Sequence, residues 1–314
     1  MLNKKNNSGF GEKDLQTVNA FASFVSFALQ NNRVNEVAQT PSTDIEIDKY
    51  LSESEKPGTK TPEKLQLTDD EKKTVLSLNC FSVNFKGVGH IKELFFFFGY
   101  YDLIETFKLT NERFLRFILK MRETYTSTSY HNWSHACDVT QYILYQITTA
   151  KADEIFTKEE LFVMLTAGVC HDANHRGLNN VYNVKAETPL GILFKDQSVM
   201  EMHHITVSIP ILSEPDINFF GFFDEVKKVW TLFIRIILAT DMAHHFELVK
   251  KGQALIDNNE WSWEEPDHRL LAMQIIIKVA DISNVSRKFD IADHWCKDLC
   301  EEFFRQGDIE KASG

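Results

Sequence analysis

Residues 161–180 read LFVMLTAGVCHDANHRGLNN. Leu161 to Cys170 form an apolar run, and a helix that is apolar all round is a buried one. Directly behind it stand His171, Asp172 and His175, followed by Gly177, Asn179 and Asn180, which suit a turn. A buried helix therefore carries two imidazoles and a carboxylate to its inner end. Such groups are costly to bury without partners. The partner is either a hydrogen-bond network or a metal ion, and the rest of the chain has to decide between them.

Working outward, Thr157-Lys158-Glu159-Glu160 fits a capping box that opens this helix. Thr68-Asp69-Asp70-Glu71 fits another, and helical sequence resumes there. Residues 111–123 place Phe114, Phe117, Ile118 and Met121 on one face. Residues 224–241 and 267–281 are long and apolar with scattered charge. The aromatic burst at Leu94 to Gly99 is too short to span a bilayer and suits a core seam. Strand alternation is scarce and no internal repeat is visible. The pattern predicts an all-α domain over 68–314, a compact multi-helix fold with its polar site between helices. Residues 39–67 hold three of the seven prolines and many charges, which by composition reads as a linker. Residues 12–36, with Leu15, Val18, Ala22, Val25 and Leu29 at helical spacing, predict an amphipathic helix.

Composition narrows the functional classes. The 314 residues carry a formal net charge of -11, which argues against a nucleic-acid partner. It leaves room for a small anionic ligand, because a bound metal inverts the local field. Five cysteines without a CxxC pair fit free thiols in a reducing compartment, hence the cytoplasm. No signal peptide or transmembrane segment is visible.

Four segments set polar residues against apolar helices. In Tyr130-His131-Asn132-Trp133-Ser134-His135 the two histidines are four apart, so a helix would put them on one face. The second is the opening stretch, where His171 and Asp172 form a ligand-type pair. In the third, Asp241 follows the run from Val229 to Leu238. In the fourth, Asp281 follows Ile275-Ile276-Ile277 and needs a partner. Each has an ordinary reading by itself: a capping pair, a turn, a helix end, a salt bridge. Together they supply histidines and aspartates at the ends of apolar helices, which suits a metal held between helices.

In order and spacing, YHNWSHA, HDANHRGLNN, SVMEMHH, ILATDMAHH and KVADISN resemble the catalytic domain of the class I 3′,5′-cyclic nucleotide phosphodiesterases. The resemblance covers about 240 residues. Residues 1–38 are similar to the end of a GAF domain, and AHH with QGDIEKA is closest to the cGMP-stimulated, dual-substrate type.

This resemblance implies a metal-dependent hydrolysis of cAMP or cGMP to the 5′-monophosphate in signal transduction. His135, His171, Asp172 and Asp281 match the ligands of a tightly held metal, usually zinc. Asp172 would bridge to a second, mostly water-bound ion, Mg²⁺ or Mn²⁺. His131 matches the general acid, whose charged state would need an acidic neighbour. His175, Glu201 and Thr240 match groups that hold the metal-bound waters. Glu201 has a rival role, since Ser198-Val199-Met200-Glu201 also fits a capping box. Tyr130 and Asn284 match positions near the nucleotide, and Met242 a wall of its pocket. An asparagine at 284 leans toward cAMP. Asn174 stands where the family often has aspartate, at a non-ligand position. The resemblance also implies further helices beyond residue 314, holding a base-reading glutamine and a clamping phenylalanine, so 68–314 would lack one pocket wall. The alternatives are a truncated, catalytically impaired paralogue that binds metal or pairs with a full-length partner through residues 12–36, and another metal phosphohydrolase with a related core. A homodimer through the same helix is also expected.

Overall fold

The computed structural model describes residues 41–195 and 197–313. The helix expected over 12–36 and the GAF-like segment 1–38 lie outside the described residues. Among those described there are fourteen α-helices and no strand. They are α1 (Pro41–Tyr50), α2 (Asp69–Val75), α3 (Val88–Tyr100), α4 (Leu103–Thr106), α5 (Asn111–Thr124), α6 (Trp133–Ala150) and α7 (Lys158–Cys170). Then follow α8 (Asn180–Lys185), α9 (Pro189–Phe194), α10 (Val199–Leu212), α11 (Val226–Leu238), α12 (His245–Asp257), α13 (Pro266–Asp281) and α14 (Phe289–Ser313).

The all-α reading holds, and α7 is its axis. Every residue from Leu161 to Cys170 is buried. Helices α3, α4, α6, α10, α11 and α13 all touch α7, which explains a sequence without a polar face. Its start is fixed as the sequence predicts: Glu160 N donates to Thr157 Oγ1 at 3.1 Å and Thr157 N to Glu160 Oε2 at 2.9 Å. The same reciprocal pair forms at Thr68 and Glu71. Close approach of α6 and α7 depends on Gly168, where a Cβ would sit 2.8 Å from Thr140 Oγ1 and 2.9 Å from Ile143 Cδ1.

Phenylalanines fill the space around this axis. Phe95, Phe97 and Phe98 of the LFFFFG burst are fully buried. Phe98 meets Phe114 of α5 at 4.8 Å between centroids and Phe162 of α7 at 5.4 Å. Phe219 completes the cluster against Phe117 at 4.5 Å. Edge and tilted pairs of this kind add to the area they bury.

Residues 41–67 differ from the linker that their composition suggests. Residues 41–50 are helical, and Ile47, Leu51, Leu65 and Leu67 are buried. Arg116 and Arg122 of α5 pair with Asp44 and Glu46, at 2.6 Å each. The charges that resemble linker composition are the outer side of a segment docked on α5. The four apolar anchors are too widely spaced to register as a periodic pattern.

The return of the chain after α13 is tied down by a buried ion pair. Arg287 Nη2 donates to Asp138 Oδ2 at 3.1 Å and to Gln141 Oε1 at 2.9 Å, and Nη1 donates to the Cys80 carbonyl at 3.0 Å. The guanidinium also lies 4.7 Å from the Tyr142 ring centroid. These contacts orient α14, which brings Glu302 to the site.

Candidate active site

Three helix ends meet at one point. His135 stands in the first turn of α6, His171 and Asp172 directly follow α7, and Asp281 ends α13. The N-terminus of α6 is set by Asn132, whose Oδ1 accepts from Ser134 N at 2.9 Å and His135 N at 3.2 Å. His131 therefore precedes the cap instead of sharing a helical face with His135, as the spacing of four suggests. It still lies beside His135, at 5.8 Å between ring centroids.

One ligand atom from each of His135, His171, Asp172 and Asp281 lies within 4.8 Å of the other three. His135 Nε2 is 3.3 Å from Asp172 Oδ2 and 3.2 Å from Asp281 Oδ1. His171 Nε2 is 3.2 Å and 3.4 Å from the same two oxygens. His171 Nδ1 lies 2.9 Å from the Gly168 carbonyl. A carbonyl only accepts, so the neutral ring keeps its proton on Nδ1 and presents the Nε2 lone pair to the cluster. His171 Nε2 and Asp172 Oδ2 are buried without a hydrogen-bond partner among the described residues.

The electrostatics fit an ion. Burial lowers the basicity of His135, but Asp172 and Asp281 outweigh it and raise its pKa to about 9. For His171 burial is likewise outweighed by Asp172, and its pKa lies well above the usual value. Burial would raise both aspartates, yet the facing histidines hold Asp172 and Asp281 well below the usual carboxylate range. Without an ion, two imidazoliums thus face two carboxylates. A divalent cation that displaces two protons leaves the net charge of this buried cluster unchanged. Two imidazoles and two carboxylates are a donor set for zinc or a similar borderline cation.

Asp172 also belongs to a second group, with His175 and His204. His204 Nδ1 donates to the Ala173 carbonyl at 2.7 Å, which leaves Nε2 facing Asp172 Oδ1 at 3.5 Å. Burial lowers the His204 pKa to about 4. His175 Nδ1 accepts from Gly177 N at 2.9 Å, so its proton is on Nε2, and burial with the His131 charge holds it well below the usual value. His204 lies in the SVMEMHH motif, but nothing in the motif's own spacing gives it a role.

These groups open on a cavity of about 720 Å³. Asp172 and Asp281 face it, with His135 and His171 behind them; His131, His175, Glu201, His204, Thr240, Met242 and Glu302 also line it. The volume is in the range of small-molecule sites. Burial raises the Glu201 pKa to about 7, and Asn180 Nδ2 donates to its Oε2 at 3.0 Å. The capping box expected at Ser198 does not form. Ser198 is left-handed at φ 47°, and its hydroxyl donates to Asp241 Oδ2 at 2.7 Å, which leaves Glu201 to the cavity. Tyr130 lies outside the lining: it is buried against His135 at 4.6 Å between centroids, with its hydroxyl 3.5 Å from the Asp281 carbonyl. Asn284 sits in the turn after α13, also outside the lining. Asn174 takes a left-handed conformation at φ 61°, which asparagine tolerates.

Sequence reasoning asks for an acidic neighbour to His131 without finding it; the structure supplies Glu302. Glu302 Oε2 lies 2.6 Å from His131 Nδ1, and its Oε1 accepts from the backbone N–H groups of Tyr130 and His131 at 2.8 Å each. Burial opposes the charge of Glu302, but its bonds to His131 hold the pKa below the usual value. The His131 ring stacks on His175 at 3.8 Å. No local signal marks Glu302, which is one of several acids on α14 and 171 residues from its partner.

The fold and the site define an all-helical protein with a His/Asp centre of metal-binding type and a carboxylate-held histidine at the rim of one cavity. A family model described as 3′5′-cyclic nucleotide phosphodiesterase matches residues 130–314, and the chain belongs to that family. A relative in Homo sapiens, the high affinity cGMP-specific 3′,5′-cyclic phosphodiesterase 9A, is 34% identical over 219 residues, covering 68% of this chain and 37% of the relative. The cGMP-specific 3′,5′-cyclic phosphodiesterase of Drosophila melanogaster is 28% identical across 99% of this chain and 28% of its own length. Thus the chain spans about a third of the curated relatives it matches. Among solved structures, LmjPDEB1 in complex with IBMX aligns with a TM-score of 0.70 and 30% identity, covering 79% of this chain and 80% of that one. The phosphodiesterase domain of the RhoPDE fusion protein from Salpingoeca rosetta gives 0.74 and 27%, covering 78% and 79%.

Proposed function

We propose that this chain hydrolyses a 3′,5′-cyclic nucleotide to the nucleoside 5′-monophosphate. The observation that carries the reading is the pairing of the His135–His171–Asp172–Asp281 cluster with a Glu302-held His131 on one cavity. The cluster would hold Zn²⁺, and a second ion, Mg²⁺ or Mn²⁺, would sit beside Asp172 near His175 and His204. Bound there, such ions neutralise phosphate charge and make water more acidic.

The remaining work belongs to side chains. Water attacks phosphorus, the bond to the 3′ oxygen breaks, and that oxygen needs a proton. His131 supplies it from Nε2, because Nδ1 is committed to Glu302. Glu302 fixes the ring through Nδ1 and is itself held by the backbone N–H groups of Tyr130 and His131. Glu201, His175 and Thr240 orient water at the second position. Met242 contributes apolar wall to the cavity.

For the base we favour cGMP. The relatives above are named for cGMP, whereas the lean toward cAMP rests on Asn284, which lies outside the cavity lining. We also assign residues 1–38 to the end of a GAF domain and to homodimer contacts through 12–36. The match to the fly relative runs through 99% of the chain and so reaches into these residues. A cytoplasmic location is supported by five free cysteines, three of them buried, and no helix among the described residues is long and apolar enough to cross a membrane.

The test is turnover of cGMP and cAMP by the purified chain with Zn²⁺ and Mg²⁺, beside His131→Ala. A folded, zinc-loaded chain without turnover would favour the alternative, a metal-binding, catalytically impaired paralogue.

A further inference from the structure

A second cluster of ligand-type side chains lies away from the cavity. His90 and Glu93 of α3 and Cys137 of α6 are all buried, and one ligand atom of each lies within 4.8 Å of the others. Cys80, buried in the loop before α3, places its Sγ 3.8 Å from Glu93 Oε1. Glu93 Oε2 is buried and has no hydrogen-bond partner among the described residues. A carboxylate with one oxygen unserved in an apolar core is costly as an anion. His90 Nε2 lies 2.8 Å from the Ser82 carbonyl, so the proton is on Nε2 and the Nδ1 lone pair is available. An imidazole steadied by a bond from its other nitrogen to a carbonyl is how metal-binding histidines are usually held.

We infer that His90, Glu93 and Cys137 form a structural site for a thiophilic divalent cation, of which Zn²⁺ is the best match, with the Cys80 thiol beside it against Glu93. The donor set is one imidazole, one carboxylate and one sulfur, which suits zinc and disfavours Mg²⁺. Charge balance agrees. A divalent ion with Glu93 and one thiolate is neutral. Zinc bond lengths of about 2.0–2.3 Å put tetrahedral ligand atoms roughly 3.3–3.8 Å apart. The side chains therefore close by about 1 Å on binding. The ion would staple helix α3 to α6, whose first turn carries His135. This inference is independent of the proposed activity.

The rival state is a protonated Glu93 bonded to a thiol, and burial does push the Glu93 pKa well above the usual value. Cobalt separates the two, because a thiolate–Co²⁺ bond gives a near-ultraviolet charge-transfer absorption that a His/Asp centre lacks. The protein would carry Cys296→Ser and Cys300→Ser, which remove the less buried thiols. After loading with Co²⁺ and desalting, the absorption should be present. It should persist in Asp281→Ala and vanish in Cys137→Ala. With Zn²⁺, the parent should retain about one more equivalent than Cys137→Ala or the near-isosteric Glu93→Gln. A folded parent without the thiolate–cobalt absorption would overturn the inference. So would an absorption that survives Cys137→Ala.

Discussion

Replacing Glu302 by glutamine keeps the side-chain shape and removes its charge. In the native site this carboxylate takes three hydrogen bonds, two from backbone N–H at 2.8 Å and one from His131 Nδ1 at 2.6 Å. A glutamine oxygen can still serve the two backbone groups, but its NH₂ then faces His131 Nδ1. The His131 ring then loses the acceptor that orients it. A hydrogen bond to a charged group is worth about 1.5–3 kcal/mol, roughly a tenfold to hundredfold change in rate. The expected result is a kcat about 10–100-fold lower at neutral pH, with KM within about twofold and metal content unchanged. The sign for stability is separate. The folded pKa of Glu302 is lowered, so its contribution is complete at neutral pH and is lost only as pH falls through the folded value. The assay is steady-state hydrolysis of cyclic nucleotide across pH, with zinc quantified in each sample. A variant that matches the parent at every pH, or one that loses its metal, would refute the role assigned to Glu302.

Other consequences follow from the same geometry. With its folded pKa raised to about 9, His135 stabilises the metal-free chain fully below pH 6.5, and this contribution disappears as pH rises through about 9. Zinc competes with those protons, so its affinity should climb with pH up to that value in a chelator titration; a flat profile would contradict the ligand role. Gly168→Ala forces a methyl group to within 2.8 Å of Thr140 Oγ1 and should cost about 1–3 kcal/mol in urea unfolding. Arg287→Ala strands Asp138 in the core and should cost about 3–5 kcal/mol, whereas an exposed pair such as Lys73–Asp70 should give less than about 1 kcal/mol. Equal effects for these two pairs would remove the argument for a buried anchor.

The sequence makes most helices and the metal-type cluster legible, for a physical reason. Metal-ligand residues at the ends of apolar helices break a pattern that is otherwise strict, as at His171 after Cys170 and Asp281 after Ala280. Capping boxes at Thr68 and Thr157 are local and form as read. The failures are nonlocal or depend on backbone conformation. Glu302 reaches His131 across 171 residues of chain. Ser198 looks like a cap, but a left-handed backbone turns its hydroxyl to Asp241 instead. Residues 41–67 read as a linker because four buried anchors are outnumbered by charged residues that face outward.

We propose that one cavity combines a two-His, two-Asp metal centre with a histidine acid held by Glu302. The most direct measurement is hydrolysis of cGMP and cAMP by the purified chain with Zn²⁺ and Mg²⁺, with zinc content measured in parallel for His131→Ala and Asp281→Ala. The expected result is turnover in the parent, a loss of about two to four orders of magnitude with zinc retained in His131→Ala, and loss of both in Asp281→Ala. Zinc lost from His131→Ala, or turnover that survives in Asp281→Ala, would contradict it.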